Sequence, residues 1–233
     1  EIPVGIHAFK RQQFRWVKGS VQCLLKHASR LAGFAEFSIW KRVQALLHLG
    51  GYLMHPMMLC FLVFSVPCML YTDINYVLPQ WFGVAGLGPP VLYAVAQLMA
   101  YPKGLMRFMW FPVLMLLGLG VAVNNTRAVF EAVLRYKPDE FLRTPKNSGS
   151  PVSLYDFYEN KNDKTVWLEI FFAIYSGVSF LFAIQRMPAL APFLALFALG
   201  FVLVAYIGLL ETNRASRFVE SWKSEPAFLD QDM

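Results

Sequence analysis

Charge is scarce in this sequence, and the scarcity excludes most soluble folds. Of its 233 residues, 15% are Asp, Glu, Lys or Arg, against about a quarter in soluble domains. Cysteine is scarcer still. Cys23, Cys60 and Cys68 are odd in number and contain no CxxC pair, which excludes a disulfide-stapled secreted module. On one helix, Cys60 and Cys68 would lie roughly 12 Å apart along the axis, beyond the roughly 7 Å that a disulfide bridges. All three read as reduced apolar fillers. His7, His27, His48 and His55 offer no pair at metal-ligand spacing. They read as packed or interfacial histidines, and no metal site is expected. No charged segment precedes an apolar run at the start, so no signal peptide is read. The chain opens EIPVGIHAF, without Met, as a processed product or a portion of a longer protein would. No internal repeat or low-complexity tract is present.

What is abundant is apolar. The hydrophobic set makes up 57% and aromatics 16%, with 21 Phe and 6 Trp. That composition excludes a disordered chain and a coiled coil. It predicts an all-α, multi-span transmembrane helical bundle with amphipathic interfacial helices. Four stretches are long enough to cross a bilayer, which takes about 20 residues: 46–71, 76–100, 166–184 and 188–210. A fifth, 108–123, is slightly short and runs into the polar segment NNTRAVFEAVLRY.

Lys and Arg placement arbitrates. Residues 1–45 carry eight of them and residues 101–165 carry nine. The 72–75 loop has none, the turn near 186 has Arg186 alone, and the tail has Arg214, Arg217 and Lys223. Four crossings put the basic segments on one side and the poor loops on the other. The expected organisation is therefore an interfacial helical region (1–45), two transmembrane helices (46–100), a cytosolic or interfacial segment (101–165), two more transmembrane helices (166–210) and a cytosolic tail (211–233). On this arrangement 108–123 is shallow or re-entrant, although a six-span version stays open. The net charge of +6 then faces anionic lipid rather than nucleic acid. Asn124-Asn125-Thr126 matches a glycosylation sequon, expected to be inert on the cytosolic side.

The segment AFKRQQFRWVKGSVQCLLKHASRL has helical periodicity. At about 100° per residue, Phe14, Val17, Val21, Leu24, Ala28 and Leu31 share one face, flanked by Lys18 and Leu25. Gln12, Trp16, Gly19 and Cys23 lie opposite, bracketed by Arg11, Arg15, Gln22, Lys26 and Arg30. This is the pattern of a helix lying in the membrane interface. Trp16 stands apart, because an anchoring Trp belongs on or beside the apolar face. It can be an incidental exposed aromatic. It can equally be a platform for the C–H face of a sugar, beside an Arg that binds phosphate bidentately.

QQFRW at Gln12–Trp16 resembles the Q-(Q/R)-x-R-W motif of processive family 2 glycosyltransferases, the cellulose synthase, hyaluronan synthase and mannan or glucan synthase-like enzymes. The surrounding EIPVGIHAFKRQQFRWVKGSVQ is most similar to the mannan and xyloglucan-backbone type. The resemblance implies that Trp16 stacks on the acceptor sugar at the mouth of a transmembrane channel, while Gln12, Gln13 and Arg15 contact acceptor and donor diphosphate. A nucleoside diphosphate leaving group develops charge on its phosphate oxygens, and cations must meet it. FLRTPK further on resembles the gating loop of cellulose synthases. It implies nucleotide contacts from Phe141, Arg143, Thr144 and Lys146, with Arg143 standing where the family core has Val.

In that family a nucleotide-sugar-binding α/β domain precedes the motif and supplies its aspartates and a divalent metal, Mg or Mn. Here 45 residues precede the first stretch, with Glu1 and Glu36 as their carboxylates. The resemblance thus covers the acceptor-channel and gating half of a glycosyltransferase. This stretch alone is expected to bind no metal and to be inactive in transfer. Implied partners are the lipid bilayer, a UDP- or GDP-sugar and a glycan acceptor, with no nucleic acid. The implied location is a multi-pass protein of the bacterial plasma membrane, or of the Golgi in a eukaryote. A reading from another class is a non-enzymatic channel, transporter or scaffold subunit. A transporter would show midplane charges and paired broken helices. Beyond His48, His55 and Gln97, the spans show few polar groups.

Overall fold

The computed structural model describes residues 5–34, 36–71, 88–134 and 165–224. Among them the chain is all helix and turn, with no strand. The helices are α1 (Ile6–Gly33), α2 (Ile39–Gly50), α3 (Met54–Tyr71), α4 (Gly88–Ala100), α5 (Gly104–Phe108), α6 (Phe111–Gly120), α7 (Ala122–Leu134), α8 (Thr165–Arg186) and α9 (Ala191–Ser224).

Three helical stretches are long and apolar enough to cross a membrane: Ile39–Tyr71, Thr165–Arg186 and Pro188–Arg214. Between 22% and 39% of the most apolar window of each is buried. The remainder, including Phe64, Leu181, Phe182 and Val202, faces outward. Outward apolar side chains on this scale need lipid, and the chain is an all-α membrane protein. The first stretch starts at Ile39 rather than at residue 46, because α2 runs through the short 3₁₀ turn Gly51–Leu53 into α3. Ser38 caps α2 by accepting from the Lys41 amide at 3.4 Å, as serine does at helix starts.

Two of the expected stretches look different. Of 76–100, the described part is α4, 13 residues, with Pro89 and Pro90 in its first turn, where their missing N–H costs nothing. Residues 76–87 of that expected span lie outside the described residues. The short stretch 108–123 is divided among α5, α6 and α7. Gly104–Gly120 and Ala122–Leu134 pass the length and apolarity test together, bent at a break, as a broken span or a re-entrant loop.

The chain divides into two compact units. One comprises residues up to Leu59, Val121–Ile170 and Val204 onward. In it α1 packs along α7, with Val17, Val21, Ala128, Val129 and Ala132 buried together and Phe14, Tyr52 and Leu53 against them. The alanines let the two backbones approach. The first half of the apolar face expected on α1 is therefore covered by protein, while Leu24, Ala28 and Leu31 stay half-buried.

The other unit, Cys60–Gly120 and Phe171–Leu203, is held by aromatic and backbone contacts. Phe172 and Phe197 each stack on Phe201, at 5.7 and 6.2 Å between centroids. The Tyr175 hydroxyl donates to the Val63 carbonyl at 2.7 Å. Ser176 and Ser179 return their hydroxyls to carbonyls one turn back, which satisfies them inside an apolar helix. Gly104 sits against the carbonyl of Gln97, where a Cβ would collide with backbone. Gly118 has open space instead. Gly104→Ala should therefore destabilise the protein by about 1–3 kcal/mol, the usual cost of overpacking. Gly118→Ala should be neutral or stabilising by about 0.5–1 kcal/mol. Thermal unfolding in detergent, followed by tryptophan fluorescence, distinguishes the two.

Candidate functional site

The motif Gln12–Trp16 lies in the first half of α1, so what fixes that helix fixes the motif. An α-helix starts with backbone N–H groups that lack partners. Gly5, at the cap position, offers no side chain. The Glu211 carboxylate of α9 takes that place. It accepts from the Ile6 amide at 2.6 Å and from the His7 amide at 3.2 Å. A negative charge there also meets the positive end of the helix dipole. A Cβ at Gly5 would lie 2.8 Å from a Glu211 oxygen, so a larger residue there would push the capping carboxylate aside. His7 adds Nε2 contacts to the Gly208 carbonyl at 3.1 Å and the Thr212 hydroxyl at 3.2 Å.

One turn on, Lys10 is 2% exposed and its Nζ lies 2.6 and 2.9 Å from the two oxygens of Glu169, itself fully buried. The Thr165 hydroxyl donates to the same carboxylate at 3.3 Å. The polar contacts continue behind Lys10. The Asn124 amide donates to the Lys10 carbonyl at 2.9 Å and to Asn125 Oδ1 at 3.2 Å, and Asn125 Nδ2 lies 3.0 Å from His55 Nε2. Asn124 is thus buried and bonded, and the folded chain does not present this sequon. Farther along, Lys18 and Arg127 share Glu131 at 3.5 and 3.2 Å, and both cations lie over the Phe14 ring. Ser20 donates to the Leu49 carbonyl at 3.0 Å.

With Lys10, Val17, Lys18 and Val21 turned inward, the opposite face of α1 is presented. Trp16 is 54% exposed, and Gln12, Gln13 and Arg15 are half-buried. The four residues follow one another on a single rigid helix. Phe141, Arg143, Thr144 and Lys146 of the expected gating loop lie outside the described residues. Arg11, beside the motif, is half-buried, with its Nε enclosed and lacking an acceptor. Burial, and after it the charge of Arg15, lowers the Arg11 pKa from its ordinary value. No group of His, Cys, Asp and Glu among the described residues is arranged to hold a metal ion.

Charge counting misreads two of these cations. Lys10 and Lys18 count as surface charges in the distribution of basic residues, yet both are buried and paired. The signal that could have revealed it is Glu169, an acid within the first turns of an apolar run, which needs a partner. Glu211 carries no sequence signal as a cap, since it lies 205 residues from the amide it accepts. No family model, curated protein or solved structure matches this chain.

Glu169→Gln leaves a buried ammonium without its counter-charge, and Lys10→Met leaves a buried carboxylate. Each should cost about 3–5 kcal/mol. The double variant Lys10→Met, Glu169→Leu should recover most of that, because no charge then remains buried. Glu211→Ala removes a cap and should cost about 0.5–2 kcal/mol. Thermal midpoints of the purified variants test all four.

Proposed function

We propose that this chain is the acceptor-binding and glycan-channel half of a membrane glycosyltransferase of family 2, which transfers sugar from a nucleotide-sugar donor to a growing β-linked polysaccharide. The observation that carries the reading is Trp16. It stands exposed on the polar side of a helix whose apolar side is already in use, and in sequence it belongs to QQFRW. An aromatic ring held there by a rigid helix serves a sugar's C–H face better than it serves as a lipid anchor. Arg15, on the adjoining ridge, supplies a cation for donor phosphate. Donor binding and the acid–base chemistry belong to a nucleotide-sugar domain with its own divalent metal. This half orients the acceptor and receives the product.

The channel or transporter reading draws less support. Glu169, the buried acid of α8, is the fifth residue of that helix. It sits at the helix end, tied to Lys10, rather than at a membrane midplane where a transport acid would be placed.

In the complete enzyme, Trp16→Ala removes the stacking surface and leaves the packed face of α1 intact. Aromatic contact contributes roughly 0.5–1.5 kcal/mol beyond area burial, and loss of acceptor orientation multiplies the effect. Polymer synthesis should fall at least about tenfold, with protein level near wild type. Arg15→Lys keeps the charge, loses the planar fork, and should also be impaired. Arg30→Lys, exposed near the end of the same helix, is the control. Incorporation of radiolabelled nucleotide sugar into glycan by membrane vesicles measures all three. Full synthesis by both motif variants would reduce α1 to a membrane anchor.

A further inference from the structure

The polar contacts behind Lys10 form a relay whose polarity is fixed at one end. The Lys10 carbonyl can only accept, so Asn124 must turn its Nδ2 toward it, as it does at 2.9 Å. The same Nδ2 reaches Asn125 Oδ1 at 3.2 Å. That leaves Asn125 Nδ2 facing His55 Nε2 at 3.0 Å. An amide nitrogen donates and does not accept. His55 Nε2 must therefore be the acceptor, and the ring proton sits on Nδ1. A backbone carbonyl two side chains away dictates the tautomer.

With Nε2 as acceptor, the relay is sensitive to a single proton. His55, Asn124 and Asn125 are all buried, and Nδ1 has no acceptor among the described residues. A proton added to Nε2 sets two donors face to face. If the Asn125 amide turns over, its Oδ1 meets the ring, but its Nδ2 then confronts Asn124 Nδ2. If Asn124 turns in answer, its Oδ1 faces the Lys10 carbonyl, acceptor against acceptor. One junction must open wherever the amides come to rest. A hydrogen bond from the imidazolium is charge-assisted and the strongest of the three, so it is kept, and the loss falls on the α1 side.

The surrounding charges do not offset a proton on His55. Tyr52, from the same apolar stretch, stacks on the ring at 6.3 Å. On the faces of α1, α7 and α8 that pack together, Lys10 is joined to Glu169, and Lys18 and Arg127 to Glu131. Neither carboxylate pairs with the ring.

We propose that His55 is a proton-sensitive latch on α1. Neutral, it holds the helix at the Lys10 carbonyl through Asn125 and Asn124. Protonated, it lets go, so the latch is closed at neutral pH and opens as pH falls. It is a positioning residue for the helix that carries Gln12–Trp16, whatever that helix binds, and it does not rest on the glycosyltransferase reading.

The test uses the full-length protein in nanodiscs. Histidine-selective isotope labelling and nitrogen NMR report the tautomer. At neutral pH one ring, missing from the spectrum of His55→Gln, should carry its proton on Nδ1. Hydrogen exchange of the α1 amides, corrected for the intrinsic effect of pH, reports the latch. From about pH 7.5 to about pH 5, the range in which histidine titrates, exchange in the first turns of wild-type α1 should quicken by about fivefold or more, the population change that one net hydrogen bond produces. His55→Gln offers Asn125 an uncharged acceptor and should stay slow at both ends of that range, with every other titratable group unchanged. His55→Leu offers no acceptor and should be fast at both. Absence of any neutral ring protonated on Nδ1 overturns the proposal without recourse to a variant. So does wild-type exchange that follows pH no more steeply than that of His55→Gln. Neither measurement depends on glycan synthesis, so the latch and the glycosyltransferase reading fail separately.

Discussion

A buried ion pair sets the position of everything proposed for this protein. Lys10 and Glu169 meet at 2.6 Å with almost no exposure. Burying two charges is expensive, and their attraction repays it only with good geometry and further hydrogen bonds. Both conditions are met here, since Lys10 reaches both carboxylate oxygens and Thr165 donates to one of them. Such a pair adds little net stability over well-packed apolar residues. What it contributes is register. A carboxylate fixed near the start of α8 accepts one lysine of α1, and a slip of one residue would turn that lysine by about 100° and strand both charges.

Register matters because α1 carries different chemistry on each of its faces. Lys10, Val17 and Val21 face inward. Rotating the helix would bury Trp16 and expose the valines. The Glu211 cap fixes the helix along its axis, and the Val17–Ala128 cluster fixes its lateral approach to α7. Any ligand that the presented face of α1 binds gains from that face being held in advance, because ordering it during binding would cost affinity.

Much of the fold was legible in the sequence. Apolar runs reveal membrane helices because lipid cannot satisfy a bare backbone, so composition and length decide the outcome. The amphipathic face of α1 was legible too, since Phe14, Val17 and Val21 recur at helical spacing. What that face packs on was not. Periodicity states that a face is apolar, and it cannot distinguish lipid from the alanines of α7. The same blindness hid the ion pairs. Lys10 and Lys18 count like any cation in a charge distribution, and their partners Glu169 and Glu131 lie more than a hundred residues away. Helix boundaries moved for local reasons: Ser38 caps α2 before the apolar run begins, and the chain breaks at Val121 within a stretch of uniformly apolar composition.

Trp16 and Arg11 show how the structure changes the weight of a sequence pattern. On a helical wheel, an aromatic among polar residues is ambiguous, because a surface helix can roll in the interface until its aromatic meets lipid. A helix held by a carboxylate at its start, an ion pair one turn on and an apolar seam beyond cannot roll. The exposure of Trp16 then becomes a fixed property of the fold. The same rigidity bears on Arg11 and Arg15. On a free helix, two neighbouring guanidiniums would splay and hydrate independently. Here Arg11 is half-buried beside Arg15, and burial first, then that neighbouring charge, disfavours its protonated form.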